Sequence, residues 1–373
     1  MIHNFLDTVI QTAHPNTQKI FDKIFSGTRI SFDDCVLLYK FASLSSLGVA
    51  AEIMRTKKND SRVFFNKNIH IEPTNICIHN CSFCSYSRKK NQAGSWELSI
   101  DEMVHDTKNR VNDSITEFHI VGGVHPDRSL SFYVDLLRRL KREFPTIHIK
   151  AFTAVEIDFM AKSSQLSFEQ TLSELKSVGL DSMPGGGAEI FDESVRHSMC
   201  PSKTSSENWL AIHHTAHDLG IPTTATMLYG HVETYEQRVD HMMRVRDLQD
   251  KTNGFQAFIP LKYKKENNDL SVLQEGSWIE DLRNYAISRI FLDNFSHIKA
   301  YWPMIGKDLS QISLAFGVDD FDGTINDSTK IYSMAGAEDK NPSMSQDDMV
   351  ELIKQVQKTP VERDSLYNII HTF

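Results

Sequence analysis

The chain has little cysteine, five residues in 373, a count too sparse and too odd for a disulfide framework. Reduced, intracellular thiols fit it best. Positive charge is not in excess either: 40 Lys and Arg against 49 Asp and Glu leave a net charge of −9 and a pI near 6.0. A nucleic-acid binder would show a basic face, so no nucleic-acid partner is expected. Long apolar runs are missing. The most apolar stretch, residues 36–54, is broken by Lys40, Ser43, Ser45 and Ser46, which predicts a buried or amphipathic helix and no membrane span. Residues 1–21 contain no uninterrupted apolar stretch and no basic start, so no signal peptide is expected there. Internal repeats and low-complexity tracts are absent. What remains is a chain with 40% hydrophobic content, expected to be soluble and cytoplasmic and able to bury one large core or two smaller ones.

Residues 1–66 read as a helical N-terminal extension, with Ile10, Ile20, Ile24 and Leu37 near the helical period. From Asn68 onward, short β-branched or aromatic runs alternate with amphipathic segments, the mark of a parallel α/β sheet. Strands are expected near 68–76, 116–122, 147–153, 180–184, 222–229, 254–260 and 297–302, and weakly at 320–325. Helices are expected between them, among others at 129–143, 167–178, 205–219, 234–251 and 276–294. Eight strands over about 260 residues is the size of a (βα)8 barrel, here 67–335; a partial barrel or an open doubly wound sheet is the alternative. Residues 336–373 are expected to pack on the barrel as a short helical tail. Within it, 337–345 reads as an exposed linker, and Ser345 with Asp348 as a capping box opening a helix through about Gln357.

Three of the cysteines fall in one run, Cys77-Ile78-His79-Asn80-Cys81-Ser82-Phe83-Cys84. Thiolates at C-x3-C-x2-C spacing can hold three corners of a 4Fe-4S cube and leave one iron without a protein ligand. The fourth cysteine of a closed site is lacking, because Cys35 and Cys200 are remote and isolated. A zinc ion completed by His79 or a distant histidine is the competing assignment. Polar residues gather at the other strand ends, which in a barrel meet on one face. Gly122-Gly123 permits close backbone approach to a ligand, although an ordinary βα turn would explain it as well. Gly185-Gly186-Gly187 could expose amides to a carboxylate or ribose, with Glu189 accepting from hydroxyls; the Gly-Lys-Ser/Thr of a phosphate loop does not follow. Tyr229 to Glu233 closes the fifth strand, where main-chain groups can recognise adenine and His231 or Glu233 can bind hydroxyls. His213, His214 and His217 lack the glutamate of H-E-x-x-H and read as a helix face, and Cys200 as a structural thiol. Arg88, Lys150, Arg196, Arg289 and Lys299 sit near the expected site; ion pairing is the favoured role of each, with a substrate carboxylate as the alternative.

With Phe83 as its aromatic, the cysteine run resembles the signature of the radical S-adenosylmethionine (SAM) superfamily. The runs 117–126, 148–157, 184–191, 229–234, 255–260 and 298–302 make most of residues 60–370 similar to the aminofutalosine synthase family within it. The resemblance implies a 4Fe-4S cluster on Cys77, Cys81 and Cys84, with SAM on the open iron. It implies SAM contacts from Tyr86, Gly122, Gly123, Glu189, Tyr229 and Glu233, and catalytic roles for His125, Lys150 and Glu156. The implied reaction adds the 5'-deoxyadenosyl radical to the enol ether of 3-[(1-carboxyvinyl)oxy]benzoate. Rearrangement and loss of bicarbonate then give 6-amino-6-deoxyfutalosine and methionine, in menaquinone biosynthesis. Arg88, Lys150 and His125 would meet the two substrate carboxylates, and Tyr86, Phe152, Tyr229, Tyr301 and Trp302 would wall its ring. An electron donor such as a flavodoxin or ferredoxin is implied as partner. Related families, the dehypoxanthine futalosine cyclases, which would abstract hydrogen instead, and the FO synthase subunits, share the cysteine run and the 184–190 element; a non-catalytic iron-sulfur protein is the alternative from another class.

Overall fold

A computed structural model of the chain describes residues 8–323, 330–337 and 342–373. Strands β1 (Arg62–Phe65) and β2 (Asn68–Ile71) are separated only by Asn66 and Lys67, so they form one nearly continuous stave. Its lower part bonds in parallel to β8 (Asp320–Phe321) and its upper part to β3 (Glu117–Ile120). From β3 the parallel order passes to β4 (His148–Ala151), then through single bridges at Ser182 and Met183 to β5 (Thr223–Tyr229). It continues through β6 (Phe255–Lys262) and β7 (His297–Ala300) back to β8. Eight staves thus close a (βα)8 barrel, as the spacing of β-branched runs predicts. The stave at 180–184 is reduced to a pair of bridges, and residues 324–325 of the last expected strand lie outside the described residues.

Helix boundaries follow from local chemistry. Ser99, Thr153, Ser167, Thr234 and Ser345 each accept from the backbone amide three residues on, and a Glu, Gln or Asp there answers the cap residue's own amide. The helices Leu130–Glu143, Phe168–Ser177, Ser206–Asp218, Tyr235–Thr252 and Trp278–Phe291 fall within two or three residues of expectation.

Two expectations need correction. Residues 1–66 are not helical throughout: after the helices Pro15–Ser26, Phe32–Phe41 and Leu44–Asn59, the run Arg-Val-Phe-Phe is strand β1, because Val63 and Phe65 pack into the core while the backbone pairs with β8 on one side and with a strand of the C-terminal tail on the other. The tail is not only helical. Beyond the helix Gln346–Gln355 it forms β9 (Thr359–Arg363), parallel to β1, and β10 (Ile369–Thr372), antiparallel to β9.

The inward face of the barrel is polar on one side. In parallel register, His70 lies beside His119 and His119 beside Lys150, with Asn68, Glu117 and His148 forming the row beneath. At the bottom, Asp319 is fully buried and accepts from Asn59 Nδ2 at 2.5 Å, from the Ile298 amide at 2.8 Å and from the Arg289 guanidinium. The His297 Nδ1 lies 2.7 Å from the same carboxylate. Arg289, expected near the site, is therefore a structural anchor below it. Replacing Asp319 by Ala should strand a buried guanidinium and cost about 3–5 kcal/mol, measurable as a lowered urea midpoint; an unchanged midpoint would refute this role.

Candidate active site

The cysteine loop leaves the top of β2 and is fastened on three sides. Cys77 N donates to Arg88 O at 3.0 Å, Ile78 N to Val124 O at 2.9 Å and Ser82 N to Met199 O at 2.8 Å. Lys89 Nζ donates to the carbonyls of Cys77, Ile78 and His79 at 3.0, 3.0 and 3.2 Å, so these three oxygens turn outward together. Gly123 explains the close fit: a Cβ there would stand 2.3 Å from Ile76 O, and its amide donates to Thr74 O at 2.8 Å. The Gly122-Gly123 pair is thus required first by the backbone that carries the cysteines.

The three loop thiols are free and partly exposed. Burial raises the Cys77 thiol, and the Val124 amide, donating to its Sγ at 3.4 Å, opposes that shift without cancelling it. Among the described residues no three His, Cys, Asp or Glu side chains converge to hold a single metal ion. The loop offers three thiols, which is the donor set of a 4Fe-4S cube with one open corner, whereas tetrahedral zinc would need a fourth ligand. Cys200, expected as a remote structural thiol, is buried against Cys81. The contact between these thiols, followed by burial, raises the Cys81 pKa.

Beside the loop lies a cavity of about 310 Å³. Phe83, Cys84 and Tyr86 form one wall, Gly122 and Gly185 to Gly187 another, and His70, His119, Lys150, Lys299 and Asp322 line it from the polar side of the barrel. Its lining carries five lysines, Lys150, Lys203, Lys262, Lys264 and Lys299, against two acids, Glu189 and Asp322. Four of the lysines have a near partner: Lys150 meets Glu117 at 2.5 Å, Lys262 meets Asp281 at 2.7 Å, Lys264 meets Glu275 at 3.1 Å, and Lys203 pairs with Glu189. Burial alone would raise the Glu117 carboxyl, but Lys150, His119 and His148 hold it well below the usual range. Gly187 (φ 85°) and Glu189 (φ 50°) both occupy the left-handed region, which curls the glycine loop toward the cavity.

Of the expected site residues, Cys84, Tyr86, Gly122, Lys150 and Glu189 meet at this cavity. Several others do not line it. His125 Nε2 lies 3.0 Å from Glu97 on the outer side of the loop. Glu156 is turned back to the Thr153 amide and hydroxyl, at 2.7 and 2.9 Å, as the answering half of a capping box. Tyr229 is wholly buried and donates to Asp281 at 3.0 Å. Glu233 binds the Gly230 and His231 amides and Arg238; burial would raise its pKa, but these partners and His231 hold it at about 2. Arg88 and Arg196 are spent on backbone carbonyls. Of the expected aromatic walls only Tyr86 and Tyr301 line the cavity: Phe152 packs edge-on to Tyr133, and Trp302 donates to Asp322 O at 2.5 Å. His213 and His217 share Thr223 Oγ1 inside the core. His70, His119 and Lys203 escaped the sequence reading. For the two histidines the visible signal was a histidine or lysine at the same inward position of NIHI, EFHI and HIKA; Lys203, in the loop before the helix Ser206–Asp218, carried none.

Residues 71–245 match the family described as the radical SAM superfamily, and residues 252–372 match the CofH/MqnC C-terminal region. The chain is 42% identical over 363 residues to an aminodeoxyfutalosine synthase of Thermus thermophilus, covering 96% of this chain and 97% of the relative. It is 34% identical over 368 residues to a cyclic dehypoxanthine futalosine synthase of Streptomyces coelicolor, covering 96% and 91%. Among solved structures, HydG from Carboxydothermus hydrogenoformans aligns with a TM-score of 0.70 at 17% identity, over 98% of this chain and 83% of that one. Methylornithine synthase (PylB) aligns at 0.69 and 18%, over 90% and 94%. At such identities the likeness to the solved structures is one of fold.

Burial raises the Glu156 carboxyl from 4.5 to about 7, against the opposing pull of the Thr153 and Gly122 bonds. A carboxyl raised by folding favours the folded state below its unfolded pKa, and that advantage is lost as pH climbs to the folded value. Glu156→Gln keeps an acceptor for Thr153 without the charge. The stability of this variant relative to wild type should therefore rise between pH 4.5 and about 7, by about 3 kcal/mol, and stay level above. Parallel urea-midpoint profiles for the two proteins would contradict this.

Proposed function

The chain belongs to the radical SAM superfamily, in the group that carries the CofH/MqnC C-terminal region, and on that premise we propose that it acts as an aminodeoxyfutalosine synthase. One 4Fe-4S cluster and SAM serve the enzyme, as in that superfamily; when bound they supply one electron and a 5'-deoxyadenosyl radical. The observation that carries the substrate reading is the lining of the cavity, five lysines against two acids beside the cysteine loop. An aromatic dicarboxylate, 3-[(1-carboxyvinyl)oxy]benzoate, suits that charge, and Tyr86 and Tyr301 offer flat walls for its ring.

In this reading Cys77, Cys81 and Cys84 hold the cluster, and Lys89 keeps their loop in one shape. Tyr86, Gly122 and Glu189 surround SAM. Lys150, held by Glu117, presents its remaining N–H groups to a substrate carboxylate. The packed barrel closes the cavity from below, and residues 330–337 add to its upper wall. Lys330 N donates to Glu72 Oε1 at 3.2 Å, Asn267 Nδ2 to Met334 O at 2.7 Å, and Ala335 lines the cavity. That enclosure suits a carbon radical, which must be kept from stray hydrogen donors. An electron donor of the flavodoxin or ferredoxin class would feed the cluster, and reduced thiols suit a cytoplasmic setting.

The test is anaerobic incubation of the reconstituted, reduced protein with SAM and the enol-ether benzoate. Mass analysis should find an adenosyl adduct that has lost one carboxylate, formed in step with methionine. Stoichiometric 5'-deoxyadenosine without an adduct would instead place the enzyme with the cyclases that abstract hydrogen.

A further inference from the structure

Lys299 differs from the other cavity lysines. It lies on β7, is 3% exposed and lines the cavity, yet among the described residues its Nζ has no short partner. Its contacts are Asp320 Oδ1 and Asp322 Oδ1, both at 3.4 Å, where charge-assisted bonds run about 2.7–2.9 Å. A buried ammonium with unfilled donors is costly unless something else fills them.

Its nearest natural partner is Asp320, directly across the β7–β8 register. That carboxylate is already taken from below. Arg363, the last residue of β9, donates Nε to Oδ2 at 2.7 Å and Nη2 to Oδ1 at 3.1 Å, a bidentate pair in which both side chains are buried. Arg363 is itself fixed, with Tyr367 under its guanidinium at 4.0 Å and its Nη1 on Asp364 O at 2.9 Å. Asp322 is shared, its Oδ2 lying 3.9 Å from His70 Nε2. With only these two long contacts, to Asp320 and Asp322, the Lys299 ammonium faces the cavity with Lys150 and His119, and His119 Nδ1 is a buried polar atom there without a partner among the described residues. Three nitrogens around one space, two of them cationic, ask for an anionic acceptor with two oxygens.

We propose that Lys299 binds a substrate carboxylate at the barrel floor, and that Arg363 is a positioning residue that keeps Lys299 available by occupying both oxygens of Asp320. The proposal rests on the dicarboxylate reading above. It makes the C-terminal strand pair part of substrate recognition: without Arg363, Asp320 draws Lys299 down and away from the cavity.

The experiment uses the full-length, cluster-loaded protein, with calorimetric binding of benzene-1,3-dicarboxylate as a stable probe alongside KM and kcat for the enol-ether benzoate. Lys299→Met should weaken probe binding and raise KM by at least about tenfold, with SAM binding unchanged. Arg363→Met should do the same from outside the cavity, and Arg363→Met combined with Asp320→Asn should recover most of the lost affinity. Arg363→Lys, able to fill one oxygen only, should fall between, and it keeps the test open where Arg363→Met does not fold. Wild-type KM in Lys299→Met, or in Arg363→Met and Arg363→Lys together, overturns the proposal, and so does a double variant no better than Arg363→Met. A wild-type protein that neither binds the probe nor turns over the enol ether would instead overturn the reading of function.

Discussion

A closed barrel excludes water from its interior, so each charge placed on an inward position must find a partner inside the protein or in a ligand. This constraint organises the molecule from bottom to top. Below the site, Asp319 gathers Arg289, Asn59 and the Ile298 amide, and Arg363 clasps Asp320. At the level of the cavity, Lys150 stands on Glu117, Lys262 on Asp281 and Lys203 on Glu189. An apolar filling of the same volume would hold a barrel together with less desolvation. The polar filling instead yields a cavity whose cations are fixed in place before any substrate arrives.

The cysteine loop obeys a different rule, one of close approach. Its backbone lies so near Gly123 that a single Cβ would collide with Ile76 O at 2.3 Å. With the Ile78–Val124 and Ser82–Met199 bonds, this brings the thiols, the second strand end and Cys200 into one region. Lys89 bonds three successive carbonyls of the loop, which has no helix or strand of its own.

Much of the fold was legible along the chain because its signals are local. Alternating runs marked the staves, and Ser or Thr followed three residues on by Glu, Gln or Asp marked helix starts. Strand β1 was hidden because four residues after a long helical stretch carry too little pattern, and β9 because its partner β1 lies some 300 positions earlier in the sequence; β10 in turn pairs only with β9. In the site, Cys84, Tyr86, Gly122, Lys150 and Glu189 sit where the strand-end rule puts them. His125, Glu156, Tyr229 and Glu233 obey the same rule, yet each faces a neighbour: Glu97, Thr153, Asp281 and Arg238 claim them.

The sequence by itself carried the signature of the chemistry, because three cysteines within eight residues can hold a cluster with one open iron, and it carried the barrel, because hydrophobic period and caps act over short range. The tertiary structure alone decided which polar residues serve the cavity. A side chain at a strand end has two directions open to it, and the choice depends on charges brought there from distant segments. Lys299 shows this best: a lysine in a strand is ordinary, and only the arrival of Arg363 from the far end of the chain leaves it facing the site.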